Sequence, residues 1–110
     1  MTTEERLEKL ERELADLRSK LAKQIETSKL LIVDENGKTR AMLTVEKDGP
    51  GLRLYDEKGE FRAGLGVDED GPGLGLADEN GMLRARLVAV KDGLELGLYD
   101  ENGESVWSAP

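Results

Sequence analysis

The spacing of apolar residues changes once along the chain, near residue 28. From Leu7 to Leu21, leucines recur at alternating intervals of three and four residues, which places them on one stripe of an α-helix. From residue 29 onward, apolar residues occupy every second position over short stretches, as in strands with one buried face. The pattern therefore predicts a helix in residues 1–28 and a β region in residues 29–110.

The leucine stripe predicts a helix over residues 3 to about 26 and a coiled coil over about residues 3–27. Thr2 and Glu5 have the spacing of a capping box, which marks the start of the helix. The stripe is narrow and has the a/d spacing of a heptad repeat, so it indicates an oligomerisation surface. The residues predicted to form this surface are Leu7, Leu10, Leu14, Leu17, Leu21 and Ile25.

Charges beside the stripe favour a parallel arrangement of helices. In a parallel coil Arg6 would face Glu11 of the neighbouring helix, and Glu13 would face Arg18. Leucine at both a and d leaves the number of helices open between dimer and trimer. A single helix packed against its own domain is the alternative interpretation of the same stripe.

The β region repeats every 22 residues, with units that start near residues 30, 52, 74 and 96. Each unit reads apolar-x-apolar, turn, apolar-x-apolar-x-apolar, turn, and therefore predicts one β-hairpin. The same turn aspartate recurs in every unit, as Asp34, Asp56, Asp78 and Asp100.

The hairpin loop can be predicted from which side chains must share a face. A two-residue type I′ loop at residues 36–37 places Ile32 opposite Ala41, so that the recurrent apolar residues all point one way. A three-residue loop would place Ile32 beside Arg40 instead. We therefore expect the two-residue loop, while the pattern leaves open whether the strands pair within one chain or between chains.

A two-stranded unit cannot bury its apolar face alone, so the units must stack or share a core with other chains. Only four residues are aromatic, which is little core material for 110 residues. We predict a mainly β protein in which a parallel coiled-coil helix precedes four 22-residue β-hairpin repeats, assembled as an intertwined homotrimer.

The net charge of −8 narrows the possible partners. Nucleic-acid binding needs a cationic face, and docking on anionic membranes needs basic residues, so neither is expected. No apolar run is long enough to span a bilayer, and the charged N-terminus does not resemble a signal peptide. We expect a soluble protein whose compartment the sequence leaves unknown.

The chain has no cysteine and no histidine, which removes the usual catalytic and metal-binding side chains. The Asp-Glu-Asn-Gly turns lack the D-x-D-x-D-G spacing of a calcium loop, and a hairpin turn needs these residues for backbone reasons alone. We therefore expect no catalytic residue, no metal site, no cofactor and no enzymatic activity.

Other recurrent side chains point to surface contacts. The arginines Arg40, Arg62 and Arg84 follow the acidic turns and predict surface ion pairs or links between chains. Candidate binding residues are Tyr55, Tyr99 and Trp107. The tyrosines share an outward position of the unit, while Trp107 would either cap the end of the stack or contact a ligand.

A heptad helix that runs into short strand–turn repeats resembles the shafts of trimeric viral and phage fibres. The likeness is carried by the Leu7–Leu21 stripe and by the apolar columns that begin at Leu30 and Ala41, with their Asp-Gly turns. It implies three parallel chains that share an apolar axis. The longer unit, the strict 22-residue period and the lack of a head domain after the repeats depart from that family.

These observations predict a non-enzymatic structural protein, a trimeric stalk or scaffold whose partner is itself. One alternative is a binding or adhesion module that contacts a protein or glycan through its outward faces or its C-terminal tip. Another is a designed or consensus repeat protein without a natural ligand.

Overall fold

The computed structural model describes all 110 residues and begins with the helix α1, Thr3–Lys23. The backbone N–H of Glu5 donates to the hydroxyl of Thr2 at 3.1 Å, and the carboxylate of Glu5 accepts from the N–H of Thr2 at 3.3 Å. This is the predicted capping box, which satisfies N–H groups that the first helical turn leaves unpaired.

The helix ends about three residues earlier than predicted. Gln24 caps it with an extended backbone, at φ −163° and ψ 157°. Ile25 therefore lies outside α1, and the expectation that it continues the leucine stripe is wrong. Ile25 and Thr27 are β-branched and lose side-chain freedom in a helix, so the last predicted turn has little to hold it.

The remainder of the chain forms one antiparallel sheet whose eight strands follow one another in chain order. The strands are β1 (Lys29–Val33), β2 (Thr39–Glu46), β3 (Gly49–Tyr55), β4 (Phe61–Asp68), β5 (Gly71–Ala77), β6 (Leu83–Val90), β7 (Gly93–Tyr99) and β8 (Ser105–Ala109). The hairpins are therefore paired within the chain, and β1 and β8 are the two edges.

The first hairpin loop differs from the predicted one. The N–H of Asp34 donates to the carbonyl of Lys38 at 2.9 Å, so that three residues, 35–37, form the loop. Only Gly37 has a positive φ, of +79°, whereas a type I′ loop would require one at Asn36 as well. The predicted two-residue loop is therefore wrong.

The predicted register is nevertheless confirmed, because a β-bulge compensates for the longer loop. Ile32 lies opposite Ala41, but the next residue, Val33, lies opposite Thr39. Arg40 is the additional residue of the bulge. The same shift occurs at the equivalent position of each later unit.

As a result, the recurrent apolar residues all lie on one side of the sheet, here named the apolar face. They form three rows perpendicular to the strands. The middle row is Leu30, Leu43, Leu52, Leu65, Leu74, Leu87, Leu96 and Ala109. The flanking rows are Ile32, Ala41, Leu54, Ala63, Leu76, Ala85, Leu98 and Trp107, and Val45, Pro50, Val67, Pro72, Ala89 and Leu94.

The opposite side, here named the glycine face, is partly covered by its own side chains. A Cβ atom on Gly64 would lie 2.8 Å from the ring of Phe61, and one on Gly97 would lie 2.5 Å from the hydroxyl of Tyr99. Larger residues thus lie over glycines on this face, an arrangement known to stabilise strand glycines. The only four buried residues of the chain are on this face: Thr44, Ala77, Val88 and Gly97.

The helix contacts none of the strands. The alternative in which it packs against its own sheet is therefore wrong. The molecule is elongated, with extents of 74 × 37 × 20 Å, and consists of one helix and one single-layered sheet. Neither element has a second layer within the chain to bury its apolar side.

The loop conformation predicts a difference between two glycine substitutions. Gly59 has a φ of +89°, which is unfavourable for alanine even though the space beside it is empty, while Gly51 has an ordinary φ and room for a Cβ. We expect Gly59→Ala to lower the free energy of unfolding by about 1–2 kcal/mol and Gly51→Ala to leave it almost unchanged. Urea unfolding at one fixed protein concentration measures both, and equal effects would contradict the assigned loop.

Candidate functional site

The three-residue loop within each of the first three 22-residue units carries the same set of polar contacts. In the first, Oδ1 of Asp34 accepts the N–H groups of Asn36 at 2.9 Å and Lys38 at 3.0 Å. Oδ2 of Asp34 lies 3.7 Å from Nη1 of Arg40. Nε of Arg40 donates to the carbonyl of Tyr55 at 3.1 Å. We name this set the aspartate–arginine clamp.

The clamp joins consecutive units, because the carbonyl that accepts from the arginine ends a strand of the following unit. The second and third clamps are Asp56–Arg62–Ala77 and Asp78–Arg84–Tyr99, with ion-pair distances of 3.6 Å in both. The predicted surface ion pairs of the three arginines are thus confirmed. The bulge places each arginine where it can reach both partners.

The equivalent loop of the fourth unit has the same aspartate turn but lacks the arginine contacts of the clamp. Asp100 accepts the N–H groups of Asn102 at 2.9 Å and Glu104 at 3.0 Å, as in the other loops. Val106 occupies the position that arginine holds in the other units. Asp100 therefore provides an internal comparison for what the arginine adds.

The clamp holds the pKa of each of its three aspartates below the usual value of that side chain. The main cause is the N–H four residues along, which donates to the ionised carboxylate. A second N–H and the arginine charge act in the same direction, against a partial loss of hydration. The ionised aspartate is therefore the form that the folded loop stabilises.

The second feature of the structure is an uncovered apolar surface. Leu43 and Leu65, in the middle row of the apolar face, are 51% and 53% exposed. The helix stripe is exposed as well. The predicted oligomerisation residues Leu7, Leu10, Leu14, Leu17, Leu21 and Ile25 are all exposed. Large contiguous apolar patches on a protein surface mark interaction sites.

The three candidate binding residues do not form one site. Tyr55 lies on the glycine face with its ring edge-on to Phe61, at a centroid distance of 6.4 Å. Tyr99 lies on the same face over Gly97. Trp107 lies on the apolar face opposite Leu98 and continues one of its rows. The structure thus separates the tryptophan from the two tyrosines.

A shallow groove on the glycine face was not anticipated from the sequence. Its volume is about 450 Å³, and Gly66 and Gly73 form part of its floor. Arg53 and Arg86 flank it, and Nη1 of Arg86 lies 3.8 Å from Oε2 of Glu95. Gly66 and Gly73 lie opposite each other on β4 and β5. Pairing the two strands residue by residue across the turn at residues 69–70 is the signal that could have revealed these aligned glycines.

The structure contains few clusters of side chains that could bind a metal ion or a ligand. No group of three His, Cys, Asp or Glu side chains is placed to hold a metal ion. The helix is not apolar enough over its length to cross a membrane. No family model matches the chain, and no curated protein matches its sequence.

The clamp predicts that Asp56→Asn destabilises the protein more than Asp100→Asn. Asparagine can still accept the two backbone N–H groups in either loop, but only Asp56 has an ion pair with arginine to lose. We expect Asp56→Asn to have the lower melting temperature at pH 7, measured by circular dichroism.

The difference between these variants should depend on pH in one direction. The pKa of Asp56 is lowered by folding, so its charge adds stability above its unfolded pKa of about 3.9, and that stability is lost as the pH falls through the lower folded pKa. The two melting temperatures should therefore converge below about pH 4. A gap that persists unchanged to pH 2 would contradict the role of the ionised clamp.

Proposed function

We propose that this protein is a non-enzymatic structural protein, a homotrimeric stalk in which three copies bury their apolar faces around a common axis. The observation that carries the proposal is the apolar face itself. Two of its rows cross all eight strands and the third crosses β2 to β7, and the large side chains of these rows are mostly exposed. On the glycine face, by contrast, aromatic and aliphatic side chains of the chain itself lie over several of the glycines.

Energetics support a shared core. A folded chain must offset a conformational entropy cost of about 1–2 kcal/mol per residue, mainly by burying apolar surface. Only four of the 110 residues are buried within one chain. Full burial of each leucine on the apolar face would contribute about 1.5–3 kcal/mol. Other chains must therefore provide the missing cover.

The helix supports the proposal that further copies of the same chain cover the apolar face. α1 has an exposed leucine stripe and contacts no strand, and an isolated helix of 21 residues is marginal in water. One partner that has both a matching stripe and a matching sheet is another copy of this chain. A parallel coil would also bring the sheets together in a common register.

The proposed mechanism is thus structural. The coil aligns the chains, the apolar rows join them, and the clamps fix each hairpin to the next within a chain. Because the molecule extends over 74 Å, such an assembly would hold whatever is attached to its two ends apart.

Adjacent leucines on β1 test the apolar face. Leu30 lies on the apolar face and Leu31 on the glycine face, and they are similarly exposed, at 41% and 46%. We expect the unaltered chain to have the mass of three 12.1 kDa chains. Leu30→Glu should raise the concentration at which the trimer dissociates by about tenfold or more, since it replaces a buried leucine with a carboxylate.

Leu31→Glu is the matched control and should remain trimeric. Light scattering after size-exclusion chromatography, over a series of protein concentrations, measures all three chains. A mass of 12.1 kDa for the unaltered chain at every concentration would overturn the proposed function.

The helix stripe is tested in the same way by Leu14→Glu and Ala15→Glu. Leu14 is an a position of the stripe, while its neighbour Ala15 faces away from it. We expect Leu14→Glu to weaken the trimer about tenfold or more, and Ala15→Glu to leave its dissociation unchanged. An unchanged trimer for Leu14→Glu, or after removal of residues 1–27, would show that the β region alone is sufficient.

A further inference from the structure

We propose that the strands lie crosswise to the stalk and stack along its axis, so that each 22-residue unit adds a fixed increment of length. This inference rests on the proposed trimer. It assigns a further function to the repeat, namely that the number of units sets the distance between the two ends of the stalk.

The first support is that the sheet is open-ended. Each strand contacts only the strands before and after it in the chain, and β1 and β8 do not meet. A unit can therefore be added or removed without breaking a contact that closes the structure. A sheet closed into a barrel would not permit this.

The second support is that the junctions between units are equivalent. The pairing of Ala41 with Leu54 recurs as Ala63 with Leu76 and as Ala85 with Leu98. The ion-pair distances of the three clamps differ by no more than 0.1 Å. The way in which one unit joins the next therefore does not depend on its place in the chain.

The third support is the direction of the apolar rows. They run perpendicular to the strands, and the middle row has leucine on seven of the eight strands. Side chains of one size can all reach a common axis only if each strand lies at the same distance from it. That condition holds when the axis is parallel to the rows.

Distances distinguish the two possible orientations of the axis. If the strands lie crosswise, each wall of a three-sided assembly is one strand long, about 25 Å, and the axis lies about 7 Å from each sheet. Packed sheets are about 10 Å apart, so side chains fill about 5 Å in front of each sheet. The leucines of the middle row can nearly fill the remaining space.

If the strands instead ran along the axis, each wall would be eight strands wide, about 34 Å, and the axis would lie about 10 Å from each sheet. Leucine side chains would then surround an empty apolar channel about 10 Å across. Such a void forfeits the contacts that stabilise a core. Close packing therefore favours the crosswise orientation, in which two strands add about 10 Å of length.

Two variants test the length increment. One duplicates residues 56–77 directly after Ala77, and the other deletes residues 56–77 and joins Tyr55 to Asp78. In both variants every remaining clamp arginine keeps a carbonyl that can accept its hydrogen bond. This is because Tyr55 and Ala77, the residues at the junctions, are equivalent acceptor positions. Small-angle X-ray scattering of the full-length assemblies gives the maximum dimension and the cross-section.

We expect three chains in each assembly, an unchanged cross-section, and a maximum dimension about 10 Å longer for the duplication and about 10 Å shorter for the deletion. A duplicated unit that carries glutamate in place of both copied middle-row leucines, at the positions equivalent to Leu65 and Leu74, should not give the increment.

A trimer whose cross-section grows while its length stays constant would overturn the crosswise stacking. So would the failure of both length variants to assemble when the unaltered chain is a trimer, because equivalent units must be exchangeable. A monomeric unaltered chain would instead overturn the proposed function, so the two failures are distinguishable.

Discussion

The structure depends on one constraint, that apolar side chains from eight consecutive strands must point to the same face. Because strand side chains alternate with a period of two, a slip of one residue at any hairpin would turn all later leucines to the other side. The three-residue loop introduces such a slip, and the bulge at Arg40 removes it. The residue that corrects the register is also the one that reaches Asp34 and the next unit. Register and connection between units thus depend on the same position.

The apolar side chains on the two faces of the sheet differ in how they are covered. On the glycine face, Phe61 and Tyr99 lie over glycines of their own strands, and the chain's four buried residues are on this side. On the apolar face, leucines of neighbouring strands stand side by side. They cover one another's sides but leave the ends of the side chains exposed. Since the helix contacts no strand, these leucines have no second layer within the chain. The asymmetry between the faces gives the proposed assembly an inside and an outside.

Some of this architecture could be predicted from the sequence, because a fixed repeat and strict alternation restrict it strongly. The division near residue 28, the helix start and the opposition of Ile32 to Ala41 follow from spacing alone. The loop could not be predicted, because a two-residue loop and a three-residue loop followed by a bulge place the same side chains on the same face of the sheet. The early end of the helix at Lys23 reflects weak local preferences that periodicity does not report. The separation of Trp107 from Tyr55 needed the strand-by-strand register.

In the proposed trimer, each junction between units would be held by two connections that respond to different conditions. The clamp is local and charged, and it lies within one chain at the loop edge of the sheet. The apolar rows cross the same junction on the apolar face, and in the proposed trimer the stability that they add would depend on other chains and thus on protein concentration. Acid and salt are expected to weaken the clamp, whereas dilution would weaken the contacts between chains of the proposed trimer. Because the clamps lie within one chain, they would keep consecutive hairpins in register before the proposed assembly, so that the chains would meet with their leucine rows already aligned.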